Sequence, residues 1–152
     1  MKGLNIILSL GLLFSLTSCA ELNFRYNSMS LDTTERARVN ERVEERYDQL
    51  VENETVPRNI LLSDNAFPPG LVLRDQMLVV EKGYQHKILG NFILVRGHVD
   101  LTRLMEFPDL LNDVKRGIAA AGADYGQLIE GTVWTVKLDP QVAKKLRAQS
   151  ID

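Results

Sequence analysis

The sequence predicts an α+β domain: a small, mostly antiparallel sheet with helices packed on one side, preceded by a charged amphipathic helix. Three observations carry that expectation. Apolar positions recur at helical spacing after start signals at Asp32, Pro108 and Asp139-Pro140. Short apolar runs separated by Lys82-Gly83 and Gly90-Asn91 fill residues 71–99. The order of these segments is helix, three or four strands, helix, strand, helix.

Residues 20–31 show no clean period and read as a tether, which fully extended reaches about 40 Å, although Leu22, Phe24, Tyr26 and Met29 are apolar enough to dock on the domain. Asp32-Thr33-Thr34-Glu35 has the pattern of a capping box, so a helix is expected over 32–52. Val39, Val43, Tyr47 and Leu50, with Val51, make a narrow apolar stripe on it. The remaining surface is densely charged, with pairs such as Asp32 and Arg36 in reach of one another. A stripe this thin covers one seam. The helix therefore either lies on its own domain or presents Val39, Val43, Tyr47 and Leu50 to a partner.

Pro57 and the run Ser63–Gly70 mark a loop. Leu71–Leu73, Met77–Glu81, Tyr84–Leu89 and Phe92–Val99 read as strands of a meander, in which Gly90 is either a turn or a bulge. Pro108 suits the first turn of a helix from about Phe107 to Ala121, closed by Gly122. Leu110, Leu111, Val114, Ile118 and Ala121 form its inner face. Ile129–Leu138 reads as one strand, and Asp139-Pro140 opens a last helix with Val142, Ala143 and Leu146 inward.

The N-terminus carries a different kind of signal. Lys2 is followed by an apolar run from Leu4 to Leu16 and then by Leu16-Thr17-Ser18-Cys19, which holds the only cysteine of the 152 residues. The run is shorter than the ~20 residues that a membrane span needs. A positive start, a short apolar core and small residues before a cleavage point describe a secretory signal. With the cysteine placed there, the stretch resembles the lipobox of bacterial lipoprotein precursors. The resemblance covers residues 1–19. It implies cleavage after Ser18, diacylglycerol on the Cys19 sulfur and acylation of the new amino group. Ala20, rather than aspartate, follows the cysteine, which implies the outer membrane, facing the periplasm. On this reading residues 1–18 are a signal peptide, 19–31 a lipidated tether and 32–152 a single periplasmic domain.

Cleavage removes Lys2 alone among the charges and leaves 17 Lys+Arg against 20 Asp+Glu. That weakly acidic balance argues against nucleic acid as a partner and against electrostatic binding of the domain to anionic lipid headgroups. With Cys19 taken by lipid no disulfide can form, so the fold rests on packing.

Catalytic signatures are sparse. No Gly-x-Ser-x-Gly, Ser-x-x-Lys, His-Glu-x-x-His or Walker A pattern occurs. His86, His98 and Asp100 are a conceivable metal set, though two imidazoles alone make a poor site. Glu106, Asp109 and Asp113 share the start of a helix, where a pair of carboxylates could do acid–base work or hold calcium. They also favourably meet the helix dipole there, which is the preferred reading. Trp134, Tyr125 and Phe92 are aromatics on strands and read as core before they read as a binding patch. The expectation is a non-enzymatic, lipid-anchored subunit of an envelope assembly, needing no cofactor, with a small ligand- or cell-wall-binding module as the alternative.

Overall fold

The computed structural model describes residues 22–150. Cys19 and the signal-peptide reading lie outside these residues. The fold is α+β, with a five-stranded mixed sheet and a separate two-stranded ribbon.

The sheet is built on a central hairpin, Tyr125–Ile129 and Thr132–Lys137, joined by Glu130-Gly131. Both turn residues have positive φ, 53° and 98°, the signature of a two-residue turn whose twist matches its strands. The expected single strand over 129–138 is therefore two strands folded at this dipeptide. Lys87–Ile93 pairs antiparallel with the second of them, and Asn27–Ser28 adds an outer edge. Leu61–Ser63 lies parallel to Tyr125–Ile129 at the other edge. In chain order we call the strands β1 (27–28), β2 (61–63), β3 (71–74), β4 (77–80), β5 (87–93), β6 (125–129) and β7 (132–137).

The ribbon is β3 with β4, turned at Asp75-Gln76, both of positive φ. The expected meander is thus broken. Gly83 sits in a turn that leads out of β4 into a loop, and Gly90 is a bulge inside β5 where the pairing with β7 slips between Ile88 and Gly90. That slip has a structural use. Side chains alternate along a strand, so Ile88 and Phe92 would share a face in a regular strand. The bulge sends Ile88 to one core and Phe92 to the other.

Helix α1 (Thr33–Glu52) starts as expected, with the Asp32 carboxylate accepting from the amides of Thr34 and Glu35. A short helix α2 (Leu101–Met105) precedes α3 (Pro108–Ala120). Pro108 fills the first turn of α3, and Gly122, at φ 82°, ends it. The amides of Gly122 and Ala123 bond back to the carbonyls of Ala119 and Ile118, the closed glycine cap of a helix C-terminus. Helix α4 (Pro140–Ser150) ends the described chain.

The sheet has two cores. Phe92, Leu128 and Val133 pack under α1 and α3 with Val43, Tyr47, Val114 and Ile118. Tyr125, Trp134 and Val136 pack on the other side with Leu71 and Leu78 of the ribbon and Ala143 of α4. Two helices thus share one face as expected, while α4 joins the ribbon over the second.

The segment expected to be a tether belongs to the domain. Leu22, Phe24, Tyr26 and Ser28 are buried while Asn23, Arg25 and Asn27 face outward, the period of an extended edge strand. Phe24 stacks on Tyr47 with ring centroids 4.3 Å apart and meets Phe92 edge-on at 5.0 Å. The amide of Tyr26 donates to Glu44 and that of Ser28 to Asn40. Burying each large apolar side chain here contributes about 1.5–3 kcal/mol.

Candidate functional site

The stripe on α1 is spoken for. Val43 is 1 % exposed and Tyr47 6 %, both in the first core, and Val39 and Leu50 pack half-buried against it. Of the two expected uses of that stripe, the structure places it on its own domain. The physical reason is the N-terminal segment: with Leu22, Phe24 and Tyr26 lying between α1 and the sheet, a thin stripe suffices to close the core.

Of the polar groups singled out in the sequence, His98 and Asp100 line one cleft together, and His86 is not among its lining residues. His86 precedes β5 and His98 follows it, so the strand alone separates them by roughly 20 Å. The His86 ring is buried: its Nδ1 accepts from the amide of Asp139 at 2.9 Å, and its Nε2 donates to the Pro69 carbonyl at 2.7 Å. Nδ1 thus pins the loop before β5 to the start of α4, and Nε2 ties it to the loop before β3. Tyr84 stacks on the ring. Asp100 caps α2 through the amide of Arg103. Asp113 pairs with Arg116 at 2.7 Å, and Arg116 in turn holds the Thr55 carbonyl. Glu106 lies at 4.0 Å from Arg103 on the surface, and Asp109 occupies the first turn of α3. Trp134 packs in the second core, away from α3. Among the described residues no three His, Cys, Asp or Glu side chains are disposed to hold a metal ion.

What the fold does build is a recessed, apolar surface at the end of the sheet where β5 stops. The loop after Ile93 folds back on the β6–β7 turn, with the amides of Leu94 and Val95 both donating to the Gly131 carbonyl. Gly131 is required there: a Cβ would fall inside the van der Waals radii of the Val95 and Gly97 carbonyl oxygens. The far end of the loop is held by Asp64, whose carboxylate accepts from the amides of Leu101 and Asn65. Those amide bonds, the one from Leu101 foremost, keep the Asp64 carboxyl below its ordinary range, and His98 adds to the effect.

Between this loop and the start of α3 lies a cleft of about 410 Å³, walled by Leu94, Val99, Leu104, Phe107 and Leu110. His98, Asp100 and Arg103 stand at its rim. Of the apolar residues lining it, Phe107 is 47 % exposed and Val95 37 %; Met105, two residues before Phe107, is 61 % exposed, and Ile93, just before Leu94, 58 %. Four of the eleven exposed large apolar side chains among the described residues thus fall within residues 93–107. An apolar concentration rimmed by polar groups is the mark of an interaction surface rather than of scattered surface hydrophobics. The strand expected over 92–99 ends at Ile93, and the residues after it form this loop instead. The signal available was Arg96-Gly97, a charge and a glycine inside an otherwise apolar run.

No family model, curated protein or solved structure matches this chain. Among the described residues, no helix is long and apolar enough to cross a membrane.

Proposed function

We propose that this chain is a lipid-anchored, non-enzymatic subunit of a bacterial envelope assembly, held by acyl chains on Cys19 at the periplasmic face of the outer membrane and meeting a protein partner through the cleft between Val99 and Phe107. The observation that carries the reading is the apolar cleft itself, with exposed Phe107 in its wall and exposed Met105 two residues before it. The commitment of His86 to two backbone groups and of Asp113 to Arg116 supports a non-enzymatic role. The Leu16–Cys19 resemblance and the shortness of the chain between Cys19 and the first buried residue, Leu22, support the anchor.

The test is co-purification of full-length tagged protein from gently solubilised membranes, with Phe107→Glu and Cys19→Ser alongside. One or a few near-stoichiometric partners are expected. Their recovery should fall with Phe107→Glu, while Cys19→Ser should lose palmitate labelling and leave the membrane fraction. Recovery of the protein alone after crosslinking, or partners indifferent to Phe107→Glu, would remove the assembly reading. Membrane retention and palmitate labelling by Cys19→Ser would remove the anchor.

A further inference from the structure

We infer that the end of the domain formed by Arg25, Ile93, Val95 and Arg96 lies on the phospholipid headgroups of the membrane, with Ile93 and Val95 against the lipid and the two guanidinium groups on phosphate. The inference rests on the reading that Cys19 is acylated, and it adds an orientation that the anchor alone does not supply.

The geometry starts from the edge of the sheet. β1 is antiparallel to β5, with Asn27 opposite Asn91 and Ser28 opposite Gly90. Carried backwards, the same register sets Arg25 opposite Ile93 and Asn23 opposite Val95. Those four residues line one cleft together with Leu94 and Arg96. The chain therefore enters the domain at the tip where β5 ends and runs away from that tip, toward Met29, whose amide bonds to Leu89.

Chain length then limits where the tip can be. Leu22, Phe24 and Tyr26 are buried, so Ala20 and Glu21 alone separate Cys19 from the first buried side chain, a shorter leash in sequence than the twelve residues that the sequence implied. Cys19 to Leu22 spans at most about 10 Å. Acyl chains on Cys19 thus keep the Ile93–Arg96 tip beside the headgroups in every orientation that the leash allows. A contact too weak to recruit a free protein is effective when tethering has already raised its local concentration.

The chemistry of the tip fits lipid. Ile93 is among the most exposed large apolar side chains described, and Val95 stands beside it on the same loop. The domain as a whole is weakly acidic, but the ionisable members of this cleft are Arg25 and Arg96. Apolar side chains flanked by guanidinium groups suit the boundary between acyl chains and anionic headgroups. The cleft toward Phe107 adjoins this strip, so a partner would meet it in the plane of the membrane.

The experiment uses full-length lipidated protein in vesicles of phosphatidylethanolamine and phosphatidylglycerol. With Cys19 acylated, Ile93→Cys supplies the sole free thiol for an environment-sensitive fluorophore, and Arg96→Cys serves as a second reporter should the first fold poorly. Leu31→Cys is the control: it is 96 % exposed and follows β1 at the opposite end of the sheet. Labels at 93 or 96 should shift to the blue and be quenched by brominated acyl chains several-fold more strongly than the label at 31. Equal, water-like emission at all three positions, with palmitate present on Cys19, overturns the orientation and leaves the anchor standing. A Cys19 without acyl groups overturns both. Shielding of residue 93 in whole envelopes but not in pure lipid assigns the strip to a protein and overturns the lipid contact.

Discussion

The hydroxyl of Tyr26 donates to Thr135 Oγ1 at 2.7 Å across 109 residues of sequence. Thr135 passes its own hydrogen to the Gly90 carbonyl at 3.1 Å, so the segment after the leash is bonded through the central strand to the bulge of β5. The bond is buried, and burial pushes the Tyr26 phenol up to about 12. If residues 22–28 hold the fold together, Tyr26→Phe should cost about 1 kcal/mol, and Phe24→Ala about 3–5 kcal/mol, as a lost buried aromatic does. Urea unfolding of a soluble form starting at Ala20 reads both, and a mere tether would lose nothing.

Val43 tests the use of the α1 stripe. Its side chain is enclosed by the first core, so Val43→Glu leaves a carboxylate without a counter-charge and should destabilise by about 3 kcal/mol or more. Exposed Glu41→Ala on the same helix should stay within about 0.5 kcal/mol. A folded Val43→Glu protein with an unchanged melting curve would return the stripe to the surface.

Gly131 tests how the apolar end is assembled. Its φ of 98° and the carbonyls of Val95 and Gly97 leave no room for a side chain. Gly131→Ala should cost about 1–3 kcal/mol. It should also speed hydrogen exchange at the amides of Leu94 and Val95, which bond to the Gly131 carbonyl. Loss of global stability without faster exchange at those two amides would count against the clamp.

Acid should weaken the same region from its other side. The Asp64 carboxyl is held low by the amides of Leu101 and Asn65, so its pKa is depressed in the folded state. A depressed carboxyl contributes stability above the unfolded value, near 3.9, and loses it as pH falls through the folded value. Melting temperature measured downward from about pH 5 should therefore drop, and Asp64→Asn should flatten part of that drop. Tyr26 works in the opposite direction. Its raised phenol contributes fully below about 10 and loses its contribution as pH rises toward 12, so Tyr26→Phe should blunt alkaline unfolding.

The candidate site was the least legible part. Its walls come from the end of β5, the β6–β7 turn, the loop at Asp64 and the start of α3, joined by single bonds such as Leu101 to Asp64. No spacing within one segment encodes a meeting of four. The N-terminal strand was legible in principle, since Leu22, Phe24 and Tyr26 alternate with polar residues, but three positions are few to set against a linker. Glu130-Gly131 was likewise present as a turn signal inside what reads as a continuous strand.

The sequence by itself determined the elements whose causes are local. Asp32 caps α1, Pro108 and Gly122 bound α3, and Asp139-Pro140 opens α4, because each signal acts on amides within a turn of itself. Tertiary structure alone decided which face each element serves. The Gly90 bulge divides Ile88 from Phe92, β2 pairs with β6 across more than sixty residues, and Tyr26 finds Thr135. Such choices depend on which apolar surfaces meet when the whole chain closes, and apolar burial has no direction along the sequence.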